Sequence, residues 1–156
     1  MNDDIEKSAA HWDAMYGGPR PATWHANERI SDYINMRLFG ESGHWLGHMF
    51  QDVLTYRPQR LLSVGCGAGD HEIAIARAGL AEEIHAFDAS AVGIESAMAT
   101  ARAEKLPVHF FVDTFETFVE RHFPERFDTV MFVGSLHHVE NLNAMLDKVR
   151  EVLTPD

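Results

Sequence analysis

The sequence predicts an α/β fold, an open, doubly wound parallel sheet with helices between its strands, and two observations carry that expectation. Four short apolar runs, at residues 61–64, 84–87, 108–112 and 129–133, are separated by gaps long enough for a helix, as expected of buried strands joined by crossover helices. Each run closes on a polar or glycine residue: Gly65, Asp88, Asp113 with Thr114, and Gly134 with Ser135. In open parallel sheets a ligand binds beyond the carboxyl ends of the strands, so these residues are the first candidates for a site.

Taken in order, residues 1–22 start as a polar stretch of helical character and run into Gly17, Gly18, Pro19, Arg20 and Pro21, a breaker cluster. Residues 24–39 and 43–56 read as two helices parted by Gly40 and Gly43. On the second, Trp45, Leu46, Met49, Phe50, Val53 and Leu54 share one apolar face. The first strand breaks at the glycine loop, and a helix over 70–78 stops at Gly79, the residue expected just past a helix end. The second strand closes on Asp88. Ser90 caps a helix to about Lys105, which Leu106 and Pro107 stop. A short helix near 116–122 ends before Pro124, and the last helix aligns Leu142, Met145, Leu146, Val149 and Leu153. Residues 1–58 are thus expected to form a helical leader that caps the sheet and its ligand, and residues 59–156 the sheet domain.

The glycine loop sets the chemistry. Gly65, Gly67 and Gly69 stand at alternate positions, which lets main-chain N–H groups approach a ligand closely. The spacing is G-x-G-x-G where the dinucleotide fingerprint is G-x-G-x-x-G, and this points toward S-adenosylmethionine. About 20 residues further on, Asp88 stands where an acid accepts both hydroxyls of a ribose.

With the fourth strand followed by Leu136, His137, His138, Val139, Glu140, Asn141 and Leu142, and the glycine loop reading Ser63, Val64, Gly65, Cys66, Gly67, the stretch 60–156 resembles the class I S-adenosylmethionine-dependent methyltransferases. The leader, from His11, Trp12 and Asp13 through Trp24 to Tyr33, Ile34 and Asn35, resembles the one such proteins carry. One departure is Ser63, where the family commonly has an acid. The resemblance implies a Rossmann-like sheet of order 3-2-1-4, S-adenosylmethionine as cofactor and a small-molecule methyl acceptor. It implies cofactor contacts at Gly65, Cys66, Gly67, Ala68 and Gly69, at Asp88 and Ala89, at Asp113 and Thr114, and at Gly134. In physical terms, the glycine-loop N–H groups and the following helix N-terminus suit the methionine carboxylate. Asp88 suits the ribose, Asp113 the exocyclic amine of adenine, and the Thr114 backbone the adjacent ring nitrogen; either Asp can instead serve as a helix N-cap. His137 and His138 fall near the expected acceptor, as a general base or as loop packing. A non-catalytic or truncated S-adenosylmethionine-binding module is the alternative function. A nicotinamide-dependent dehydrogenase is disfavoured by the glycine spacing. Three more strands normally follow in the family, so the sequence reads as stopping after the fourth strand and its helix, with an edge expected to invite self-association.

Composition narrows the classes. Lys and Arg number 13 against 24 Asp and Glu, a net charge of -11. With no basic cluster, nucleic acid is disfavoured as a substrate, and an acidic field suits a cationic ligand. His44 and His48 stand four apart on one expected helix face, but neither an H-E-x-x-H pattern nor a cysteine partner accompanies them, and no metal is expected. Cys66, the only cysteine, excludes a disulfide framework and is read as a small loop residue, not a nucleophile. With no long apolar run and an acidic start, a membrane span and a secretion signal are not expected, and a cytoplasmic location is.

Overall fold

The computed structural model describes residues 3–19, 27–124 and 126–155. Contacts divide the chain into two compact units: residues 1–18 with 58–156, and residues 19–57. The leader expected over 1–58 is therefore two pieces. Its first helix, α1 (Asp3–Gly17), belongs to the sheet unit. The tie is local: Asp13 Oδ1 accepts from the Ser90 hydroxyl at 2.6 Å and from the Val92 N–H at 3.1 Å. Arg20, Pro21 and Trp24 lie outside the described residues.

In the sheet unit, β1 (Arg60–Val64), β2 (Glu83–Asp88), β3 (Val108–Val112) and β4 (Thr129–Met131) form one parallel sheet of order β3-β2-β1-β4. The register sets Val64 beside Phe87 and Asp88 beside Val112. The crossovers carry α4 (Asp70–Arg77), α5 (Ala91–Glu104) and α6 (Phe115–Glu120), and α7 (Leu142–Val152) follows β4. Ser90 and Thr114 cap α5 and α6 through their hydroxyls, so neither Asp88 nor Asp113 is spent as a helix cap. The fourth strand is shorter than the apolar run 129–133: Phe132 and Val133 leave the ladder as the chain turns into Gly134 at φ 67°.

One sheet face packs Leu62, Val64 and Phe87 against Phe118, Phe127, Met145 and Val152. Phe87 and Phe118 lie 4.9 Å apart and Phe118 meets Phe123 edge-on at 5.1 Å, within the range of favourable aromatic pairs. Each such side chain, fully buried, contributes roughly 1.5–3 kcal/mol. Ahead of β4, the Phe127 N–H donates to Val152 O at 2.9 Å and the Thr154 N–H to Phe127 O at 2.8 Å. This short parallel pairing lies on the side of β4 away from β1.

The second unit holds α2 (Glu28–Phe39) and α3 (Trp45–His48). The single helix expected over 43–56 runs over 45–53 and is not α-helical throughout. After α3 the chain widens into a π-helical turn, Met49–Val53, closed by the Leu54 N–H on Met49 O at 2.9 Å, and Thr55 turns left-handed at φ 60°. The His44 ring caps α3 by accepting from the Leu46 N–H. His48 is buried against Phe39 with ring centroids 4.3 Å apart, and its Nδ1 lies 3.0 Å from Asp52 Oδ2. The two histidines therefore have separate jobs in the helix.

Candidate functional site

A cleft of about 380 Å³ opens at the carboxyl ends of the strands, within the size range of small-molecule sites. Its floor is the loop between β1 and α4. Gly65 and Cys66 donate their N–H groups to Phe87 O at 2.9 and 3.0 Å, which fastens the loop across the tip of β2. Asp88 holds the other side: Oδ2 accepts from the Gly67 N–H at 2.8 Å and Oδ1 from the Ser90 N–H at 2.9 Å. Each carboxylate oxygen keeps a lone pair for a further donor. The Ser135 hydroxyl donates to Val64 O at 2.5 Å and locks the turn after β4 onto β1.

Gly65, Cys66, Gly67, Ala68, Asp88, Ala89, Asp113, Thr114 and Gly134 all line this cleft. His138 lines it too, whereas Gly69 and His137 are not among the lining residues. Gly69 sits behind the loop, packed on Phe110 and Ala97. His137 lies against His138, with ring centroids 3.9 Å apart and the planes tilted by 41°. Sequence reasoning passed over Tyr16, Phe87, Phe115 and Glu140 as lining residues, and met Trp12 only in the leader's resemblance. Trp12 and Tyr16 come from α1, stacked at 6.1 Å, with Trp12 edge-on to His138 at 5.4 Å. A Cβ on Gly67 would overlap the Tyr16 hydroxyl. The only sequence signal for this wall is the spacing of Trp12 and Tyr16 one helical turn apart.

The electrostatics are one-sided. Asp70, Asp88, Asp113, Glu116 and Glu140 line the cleft, and neither Lys nor Arg is among the lining residues described. Asp113 is nearly enclosed; burial raises its carboxyl above the ordinary range, against the opposing pull of Arg121 and the Thr114 N–H. Its Oδ1 accepts from Thr114 N–H at 3.0 Å, while Oδ2 lies 2.9 Å from Arg121 Nη1 but takes no aligned hydrogen bond. Burial also pushes the Cys66 thiol far up, reinforced by the charges of Glu72 and Asp88. It stays protonated and is no ready nucleophile.

Comparison with known proteins gives the family. Residues 61–156 match the family model described as "Methyltransferase domain". The chain belongs to that methyltransferase family, of the class I S-adenosylmethionine-dependent type. This methyltransferase chain is 27% identical, over 99% of its length, to a "Ubiquinone biosynthesis O-methyltransferase" of Actinobacillus pleuropneumoniae serotype 5b (strain L20), and spans 59% of that protein. It is also similar to the crystal structure of the YcgJ protein from Bacillus subtilis, with a TM-score of 0.60 and 26% identity over 71% of this chain and 46% of that one. A coclaurine N-methyltransferase bound to N-methylheliamine and SAH shares the fold, with a TM-score of 0.62 and 20% identity over 72% of this chain and 32% of that one. No helix among the described residues is long and apolar enough to cross a membrane.

Beneath the methyltransferase loop, Ser63 and Glu72 form a buried pair that sequence reading did not find. The Ser63 hydroxyl donates to Glu72 Oε1 at 2.6 Å, joining β1 to α4. Glu72 Oε2 is buried without a hydrogen-bond partner. Burial pushes the Glu72 carboxyl up to about 7 from 4.5, with the Ser63 hydrogen bond opposing and Asp70 and Asp88 adding to the rise. A carboxyl raised in the folded state stabilises most below the unfolded value, and that contribution is lost as pH climbs toward the folded one. Folding stability is therefore expected to fall between about pH 4.5 and 7, by on the order of 3 kcal/mol from this group. Glu72→Gln copies the neutral form. Relative to the wild type, its thermal midpoint should gain steadily over that window and hold level above it; a constant difference across the window would show that Glu72 titrates normally.

Proposed function

We propose that this domain binds S-adenosylmethionine in the cleft and methylates a small hydroxyl-bearing acceptor. The observation that carries the reading is a cleft lined by five carboxylates without a Lys or Arg among the described residues. Such a lining favours a ligand bearing a sulfonium and an ammonium, and opposes the pyrophosphate of a dinucleotide. The residues fit the group. Asp113 lines the cleft, its Oδ2 held beside Arg121 and its Oδ1 by the Thr114 N–H, and is the acceptor of this proposal for the adenine amine. Asp88 has the free lone pairs a ribose needs, and the loop N–H groups with the start of α4 suit the methionine carboxylate. Ala89, Thr114 and Gly134 complete the nucleoside wall. When bound, S-adenosylmethionine supplies a methyl group on an electrophilic sulfonium centre.

The chain's own part is to orient and to exclude water. Trp12 and Tyr16 offer an aromatic wall from α1. His138, the cleft-lining member of the histidine pair, would accept the acceptor's proton. What supports a hydroxyl acceptor is the name of the Actinobacillus relative, an O-methyltransferase. The cytoplasm is the compartment of this proposal, in keeping with a sequence whose one cysteine allows no disulfide within the chain. Self-association is proposed through the outer side of β4 beyond the Phe127–Leu153 pairing, which covers only the residues just ahead of the strand.

Calorimetric titration tests the cofactor directly: S-adenosylmethionine and S-adenosylhomocysteine are expected to bind with one equivalent, and NAD not at all. Binding of NAD alone would overturn the reading. Single-turnover assays with hydroxylated acceptors then separate a catalyst from a binding module. Cofactor binding without methyl transfer to any of them would favour the module.

A further inference from the structure

We propose that Glu83, His85 and His109 form a site for a divalent transition ion of the zinc type, at the end of the sheet away from the cleft. The three side chains converge. Glu83 Oε1 lies 2.9 Å from His85 Nε2 and 3.3 Å from His109 Nε2, and one ligand atom from each of the three lies within 4.8 Å of the others. Donors about 2.1 Å from a tetrahedral zinc ion stand roughly 3.4 Å apart, so small side-chain rotations suffice to admit the ion. The backbone dictates this meeting. His85 and His109 are partners in the parallel register of β2 and β3, which puts both imidazoles on one face, and Glu83 precedes His85 by two residues and shares that face.

The surroundings suit a bound ion. Two imidazoles and a carboxylate make a donor set for zinc and its neighbours rather than for calcium or magnesium. The Phe127 ring meets His85 edge-on at 5.3 Å, which restrains that imidazole. Arg60 Nε lies 3.4 Å from Glu83 Oε2, turning the other oxygen toward the histidines, as outer partners orient metal ligands. His109 is 62% exposed, so the ion can enter and the fourth position is open to water. Bound there, the ion would clamp the edge strand β3 to β2, about 10 Å along the strand from Asp88. The proposal is independent of what the cleft binds.

The test uses tag-free protein stripped with a chelator. Zinc is expected to bind with one equivalent at roughly micromolar affinity or better, cobalt(II) to give the visible bands of a tetrahedral site, and saturating zinc to raise the thermal midpoint by roughly 5 °C. His85→Gln and His109→Gln should each weaken zinc binding at least 10-fold. The chelated His109→Gln variant should melt with the wild type, showing an intact fold. Glu41→Gln with Asp52→Asn, which dismantles the other cluster around His48, should leave the affinity unchanged. Absence of stoichiometric binding, binding that survives loss of both His85 and His109, or binding lost with Glu41 and Asp52 would each overturn the assignment.

Discussion

Gly69→Val is expected to destabilise the chain by about 4 kcal/mol, the sum of overpacking and left-handed strain. At Gly69 φ is 73°, and an added Cβ would come within 2.6 and 2.7 Å of the Phe110 ring and 2.9 Å of Ala97 Cβ. None of these is the free end of a flexible chain: Phe110 is buried on β3 and Ala97 on α5. Gly79 separates the two causes. It has φ 63° with open space around its would-be Cβ, so Gly79→Ala isolates the backbone term, at roughly 1–2 kcal/mol. Urea denaturation of both variants measures the difference. A Gly69 variant no worse than the Gly79 one would mean that the loop does not pack on Phe110 as described. In a Phe110→Leu background the Gly69 penalty should shrink, because the two residues share one space.

Asp88→Ala should weaken S-adenosylhomocysteine binding by about 3 kcal/mol, roughly 100-fold. Two losses combine. The variant leaves the Gly67 and Ser90 N–H groups without the carboxylate that orders them, and it removes the proposed ribose acceptor. Asp88→Asn discriminates, because its amide presents one oxygen and one NH2 to two N–H donors. It should recover the fold better than it recovers binding. Unchanged affinity in the alanine variant, measured by calorimetry, would confine Asp88 to holding the loop.

Much of the domain was legible in the residue order because each signal is local. An apolar run ending at Gly65 or Asp88 declares a strand and its carboxyl end, Ser90 declares a cap, and Gly79 a stop. Parallel pairing of such strands then brings their ends to one edge, which is why residues as distant as Gly65, Asp88, Asp113 and Gly134 meet in one cleft. Boundaries blurred where local propensity lost to context: the apolar run 129–133 leaves its ladder after Met131, and the helix expected over 43–56 widens into a π turn after His48.

By itself the sequence determined the strand order's raw material, the glycine loop and the acids behind it, since these depend on residue type and spacing along one chain. Only the tertiary structure decided which side chains share a space. It set Trp12 and Tyr16 at the mouth of the loop, placed Glu72 under Ser63 where its charge is costly, turned Gly69 away to pack on Phe110, and aligned His85 with His109. Those meetings follow from register, crossover geometry and burial, which act between residues far apart in sequence and leave no periodic trace in it.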